Sequence, residues 1–221
     1  MPVRAVVFDL WDTIVDFDQD ESDAVNRRIA EHLAVPYERY GEIWYSPESF
    51  RSRMVGPIAP CFAAACRALG VAANVDELVG WRLELTRRLL VPRAGLHETL
   101  AALRERGLRV GLISNCSQEV ADVWPDTSFA RLFDDAVFSA TAGLAKPDPA
   151  IYRLAADGLG VEPEQCLFVG DGANDELRGA GDVGMTPVLI HADGEEPRWE
   201  GLRDWSGLRI SSIPQVLDLV A

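Results

Sequence analysis

Residues 3–13 read Val3-Arg-Ala-Val-Val-Phe-Asp9-Leu-Trp11-Asp12-Thr13. A short valine-rich run that ends in a carboxylate and then turns polar reads as a buried strand with a functional end. Four later segments repeat the pattern: Arg109 to Ser114 (RVGLIS), Ala136 to Ser139 (AVFS), Cys166 to Gly170 (CLFVG) and Thr186 to Ile190 (TPVLI). Between them the apolar spacing predicts helices from Leu96 to Arg106, Ala150 to Leu159 and Asp175 to Asp182, closed by Gly107, Gly160 and Gly184. A glycine just past a helix supplies the left-handed cap. Asp148 and Pro149 supply an N-cap and a first-turn proline for the second of these helices. Strands alternating with helices predict an α/β fold, a parallel sheet with helices on both faces and a site at the carboxyl ends of its strands.

Residues 16–91 break that rhythm. They hold no valine-rich strand, and amphipathic patterns such as Asp76 to Leu90, with Leu78, Trp81, Leu85 and Leu89 in phase, predict a helical insertion after the first strand. The expected organisation is therefore a core of residues 1–15 and 92–221, with residues 16–91 as a helical cap over the strand ends. The stretch from His191 to Leu208 reads as surface loops before a last short strand and a helix near Pro214 to Val220.

The bulk numbers exclude several classes. The 221 residues carry 35 acidic and 21 basic side chains, a net charge of −14, which disfavours nucleic acid and anionic membranes as partners. Cys61, Cys66, Cys116 and Cys166 show no metal or redox spacing and read as reduced thiols. The start of the chain does not read as a signal peptide, and no apolar run reaches the roughly 18 residues of a membrane span, so the expected compartment is the cytoplasm. Oligomeric state is not legible.

Four segments at predicted strand ends carry the chemistry. Asp9 suits nucleophilic attack or metal binding, although a turn aspartate would look the same. Ser114 and Asn115 offer a hydroxyl and an amide to an oxyanion, or a cap to the next helix. Lys146, in Gly143-Leu-Ala-Lys-Pro-Asp-Pro149, is a cation fixed by a proline and a helix start. Gly170-Asp171-Gly-Ala-Asn-Asp175 places two carboxylates in a glycine-bearing loop that opens a helix. His32, His97 and His191 are scattered and read as structural. Arg51 and Arg53, in the insertion, fit either an anionic substrate or a solvated helix face.

This ordered set resembles the haloacid dehalogenase superfamily, over roughly residues 1–15 and 92–190, with the insertion in the place of that family's first-type cap. The resemblance implies a Rossmann-like core, Asp9 as covalent nucleophile, an oxyanion contact from Ser114, charge neutralisation by Lys146, and a magnesium ion on Asp9, Asp171 and the Trp11 carbonyl, with Asp175 near it. Asn115 and Trp11 join Ser114 and Lys146 as expected substrate contacts. The expected activity is a magnesium-dependent phosphatase acting on a small anionic molecule through an aspartyl phosphate. One departure matters. Phosphatases of this family carry an aspartate two residues after the nucleophile as proton donor, and here that residue is Trp11. Asp12, one residue on, faces the other way in an extended segment. The family's dehalogenases replace the second aspartate with an aromatic residue and use no metal, yet lack the aspartate that is Asp171 here. A 2-haloacid dehalogenase, or a catalytically weak binding protein, is the alternative.

Overall fold

A computed structural model describes residues 1–192, 194 and 199–220. Six parallel strands form one sheet in the order β3-β2-β1-β4-β5-β6: β1 (Ala5–Phe8), β2 (Arg109–Ser114), β3 (Asp135–Phe138), β4 (Cys166–Gly170), β5 (Thr186–Ile190) and β6 (Leu208–Ile210). This is the doubly wound order, with the chain reversing direction across the sheet at β1 and β4, so the crevice opens at their carboxyl ends. The register pairs Phe8 with Leu112 and Val169, which brings the residues after β1, β2 and β4 to one edge.

Side chains alternate between two buried faces, as the pleat requires. Val6, Phe8, Val110, Leu112, Leu167 and Val169 pack on one side, and Ala5, Val7, Ile113 and Phe168 on the other. The insertion consists of five helices: α1 (Gln19–His32), α2 (Tyr37–Trp44), α3 (Pro47–Met54), α4 (Ile58–Leu69) and α5 (Val75–Leu89). They build an apolar cluster of their own around Ile29, Tyr40, Trp44, Phe62 and Leu78. Tyr40 stacks on Trp44 at 5.7 Å and Trp44 on Phe62 at 4.5 Å. This cluster gives the insertion a core separate from that of the sheet.

The remaining helices are α6 (Leu96–Glu105), α7 (Gln118–Val123), α8 (Ser139–Ala142), α9 (Pro149–Leu159) and α10 (Glu176–Asp182). The Asp148 carboxylate accepts from Ala150 N at 2.9 Å to cap α9, and Gly160 closes it at φ 67°. Observed ends lie within one residue of the expected ones, apart from the start of the first strand, which begins at Ala5 rather than Val3, and the tail. There β6 has three residues, and the segment read as a helix near Pro214 is a 3-10 turn, Ile213–Asp218. Part of the expected loop from His191 to Leu208 lies outside the described residues. No helix among the described residues is long and apolar enough to cross a membrane.

Two connections join the helical insertion to the sheet domain. Arg93 lies across both: its backbone N–H donates to Ile14 O at 2.8 Å and its guanidinium donates to the Asp12 and Thr13 carbonyls and pairs with Asp16 at 2.5 Å. Higher up, Arg82 of α5 pairs with buried Glu119 of α7 at 3.0 Å.

Candidate active site

Asp9 stands one residue beyond β1, and its backbone N–H still donates to Val169 O of β4 at 2.8 Å, so the sheet fixes its position. Its side chain is buried. Thr13 Oγ1 donates to Oδ2 at 3.2 Å, and the Lys146 ammonium donates to Oδ1. Thr13 was not singled out in the sequence. The chain reaches it because the Leu10 carbonyl accepts the amides of Thr13, Ile14 and Val15, a tight turn that passes through a left-handed Asp12 at φ 55°.

That turn decides what Trp11 and Asp12 do. The Asp12 carboxylate accepts the Phe17 amide at 3.1 Å, which ties the turn together while the residue still lines the cleft. Trp11 is half-buried, meets Phe17 edge-on at 5.3 Å, and packs against both the sheet cluster and the cap cluster. It walls the cleft where sheet and cap meet.

Lys146 is held from behind. The Asn115 side chain donates to its carbonyl at 2.9 Å and accepts its amide at 2.8 Å, so the carboxamide is engaged in fixing the lysine loop while the residue lines the cleft. Ser114 ends β2 fully buried, and its Oγ has no hydrogen-bond partner among the described residues. It is not part of the cleft wall that Asn115 forms.

The fourth segment corrects one expectation. Asp175 does not enter the site: its carboxylate is exposed and pairs with Arg178 at 3.1 Å. Glu176, the next residue, is buried and accepts the Lys146 ammonium at 2.5 Å and the Gly172 amide at 2.9 Å. Asn174 and Asp175 both adopt left-handed backbone, φ 53° and 56°, and this double turn rotates residue 176 inward. Gly170 is needed for the fit, because a Cβ there would lie 2.1 Å from Glu176 Oε1. Asp171 stays where expected. Its Oδ1 accepts the Ala173 amide at 3.0 Å and its Oδ2 the Trp199 indole at 2.9 Å.

Carboxylate oxygens of Asp9, Asp171 and Glu176 come within 4.8 Å of one another. Burial pushes the Glu176 carboxyl up to about 8, partly offset by Lys146 and reinforced by Asp9 and Asp171. Burial also raises Asp9, against the lowering pull of Lys146. For Lys146 burial alone favours the neutral amine, but Asp9 and Glu176 outweigh it and hold the ammonium charged. Three acidic groups around one ammonium leave an excess of two negative charges when all are ionised. That donor set, hard oxygens with no thiolate or imidazole, suits an oxygen-preferring divalent cation. His32, His97 and His191 do not line this cleft, and the four cysteines are buried free thiols.

Known proteins give the same picture of the fold and leave the reaction open. Residues 3–184 match the family of haloacid dehalogenase-like hydrolases. The chain is 30% identical to a phosphatase of Mycobacterium tuberculosis, Phosphatase MT3486, over 99% of this chain and 98% of the other. It is equally 30% identical to (S)-2-haloacid dehalogenase 4A of Burkholderia cepacia, over 90% and 87%. Among solved structures, an HAD phosphatase from Thermococcus onnurineus superposes with a TM-score of 0.73 at 21% identity, covering 99% of this chain and 98% of that one. With its parallel sheet, its strand-end aspartate and these relatives, the chain belongs to the haloacid dehalogenase-like hydrolases.

Proposed function

We propose that this hydrolase is a magnesium-dependent phosphatase acting on a small phosphate monoester through a phosphorylated Asp9. The observation that carries this reading is the cluster of Asp9, Asp171 and Glu176 around one lysine. With all three carboxylates ionised the cluster carries two excess negative charges. A dication favours that ionised form, against the burial that raises Glu176 and Asp9, and balances it, whereas a metal-free site would repel the carboxylate of a haloacid. Asp9, Asp171 and Glu176, with the Trp11 carbonyl, would hold the magnesium. Bound there, it supplies charge neutralisation to a phosphoryl group and screens the approach of an anionic nucleophile.

The chain's own residues do the rest. Asp9 is held by the Val169 carbonyl and Thr13, so an oxygen of its carboxylate faces the cleft in one orientation. It attacks phosphorus; the Asp9 O–P bond forms and the ester P–O bond breaks, its electron pair leaving with the alcohol oxygen. Lys146 offsets the charge on the phosphoryl oxygens. Water then attacks phosphorus, the Asp9 O–P bond breaks, and phosphate leaves with the carboxylate restored. The Ser114 hydroxyl is fully buried behind the cleft wall, so no step is assigned to it.

Trp11 provides no acid for the departing oxygen, and Asp12 is engaged by the Phe17 amide. Leaving groups that are stable as anions, such as aryl or acyl phosphates, should therefore react fastest. The test is phosphate release from phenyl phosphate with magnesium and with chelator. Activity should vanish on chelation and fall by at least about 1000-fold in Asp9→Asn, a loss on the scale of removing a covalent nucleophile. Chelator-resistant turnover, or an active Asp9→Asn protein, rules the reading out.

Trp11 is also what favours a second reading, a 2-haloacid dehalogenase, since an aromatic ring beside the nucleophile suits displacement at carbon. Halide release from 2-chloropropionate without metal would support it. A catalytically weak family member would instead bind magnesium and turn over neither substrate class.

A further inference from the structure

After β1 the chain turns through residues 10–15, and that turn puts Thr13 on the Asp9 carboxylate. It passes through Asp12 at φ 55°. A residue other than glycine keeps such a conformation only where its surroundings hold it. The carbonyls of the turn show what does the holding. Leu10 O accepts the amides of Thr13, Ile14 and Val15, and Val15 O accepts that of Asp12. Three more go to a single residue. Asp12 O at 2.5 Å and Thr13 O at 3.1 Å accept from Arg93 Nη1, and Ile14 O accepts the Arg93 amide at 2.8 Å. Of these six carbonyls, only that of Trp11 accepts no hydrogen bond among the described residues. A carbonyl without an internal partner is left for water or a ligand.

Arg93 comes from the second connection, where Val15 and Pro92 form an isolated antiparallel bridge. Its guanidinium works as a fork. Nη1 serves the two carbonyls, while Nε and Nη2 meet Asp16 Oδ1 at 2.7 and 2.5 Å. The Asp16 carboxylate is exposed, and such a pair contributes little by itself. It orients the fork and cancels its charge, so Arg93 and Asp16 together present no net charge to a cation at Asp171. Arg93 is not among the residues that line the Asp9 cleft, whereas Asp9, Trp11 and Asp12 are. Whatever it does for the reaction is done through the turn.

We propose that Arg93 is a positioning residue for the Asp9 site. From the second connection it holds the Asp12 and Thr13 carbonyls, which keeps Thr13 on Asp9 and leaves the Trp11 carbonyl as the turn's one acceptor for a cation. This rests on the magnesium-dependent reading for the cation and for the reaction. Without the clamp the two carbonyls turn to water, the turn samples more conformations, and the Thr13 hydroxyl and Trp11 oxygen lose their fixed places.

The test uses Arg93→Ala, Arg93→Lys and Asp16→Asn. Magnesium affinity is measured by titration calorimetry without substrate, and kcat and KM for phenyl phosphate at saturating magnesium. Arg93→Ala should bind magnesium at least about tenfold more weakly, the scale of losing a group that orients a ligand. Its kcat should fall about 10- to 100-fold with KM within about threefold, because displaced reacting groups slow the chemistry without removing a substrate contact. Asp16→Asn, which keeps both carbonyl contacts, should stay within about twofold of the unaltered protein in all three quantities. Guanidinium chloride, far below unfolding concentrations, should raise the kcat of Arg93→Ala at least about fivefold, and potassium chloride at the same ionic strength should not. Arg93→Lys, which keeps the charge and loses the fork, should weaken magnesium several-fold and decides the matter if the alanine variant does not fold. Magnesium affinity and kcat unchanged in the Arg93 variants, even with stability lowered in urea, would overturn the inference. So would tighter magnesium binding, a change in KM alone, or no response to guanidinium. The phosphatase reading is judged on the unaltered protein. Magnesium binding without phosphate release sinks that reading and leaves Arg93 to be judged on affinity, while absence of magnesium binding sinks both.

Discussion

Glu176 and Asp175 are adjacent in the chain and opposite in environment, one buried against Lys146 and the other paired with Arg178 in solvent. If Glu176 is a cation ligand, Glu176→Gln should weaken magnesium binding by about 10- to 100-fold, the usual effect of losing a group that shapes a metal site. Asp175→Asn should leave it within about twofold, as expected of a surface pair. Calorimetric titration of the two variants separates these outcomes, and equal effects would remove Glu176 from the site. The choice between the two residues was not legible in the sequence. Aspartate in a glycine-bearing loop is the more familiar cation ligand, and nothing in the letters Asn-Asp-Glu announces two successive left-handed residues. Gly170 was a partial signal, since a glycine ending a buried strand marks a close approach by another group. What it could not name was the group, the Glu176 carboxylate. Asp9, Lys146 and Asp171 were legible because each immediately follows, or is fixed beside, an element whose own pattern is strong.

At the scale of elements, the strands of the sheet and the helices flanking it follow from apolar period, capping residues and terminal glycines. The shortest ones were hardest to read. β6 has three residues, and the last turn, Ile213–Asp218, carries Pro214 in its first positions and is wound as a 3-10 helix. In the insertion the sequence indicated helices, but it could not say which faces would meet the core. Arg82 shows why: its position in α5 marks a polar face, yet that face is turned toward α7 and neutralises Glu119, which is 1% exposed. Removing Arg82 leaves a buried carboxylate without its cation, a more damaging change than losing both. Arg82→Met should lower stability by about 3 kcal/mol in urea unfolding, and Glu119→Gln in the same chain should recover part of that loss. If the double variant is no better than the single one, the pair is not what joins these helices.

Across the whole molecule, the fold gathers acidic groups where a cation can bind them. Asp9 comes from the first strand, Asp171 and Glu176 from the loop after the fourth, and Lys146 from the loop before α9, so the site forms only when the sheet has assembled in the correct order. An unfolded chain has no such cluster. A cation that binds only the folded form therefore stabilises it by mass action, by about 2.7 kcal/mol at 100 times its dissociation constant. For a protein of this size that corresponds to a rise in Tm of roughly 5–10 °C. Thermal unfolding should show such a rise on titrating magnesium and lose it on chelation. Asp171→Asn should respond far less, because its removal takes one negative charge from the cluster and one oxygen ligand from the cation. Potassium chloride at matched ionic strength is the control that separates site binding from general screening of a chain with net charge −14, since screening acts on all surface charges alike. A rise produced equally by potassium, or one retained in Asp171→Asn, would mean that the cluster of Asp9, Asp171 and Glu176 does not hold the cation.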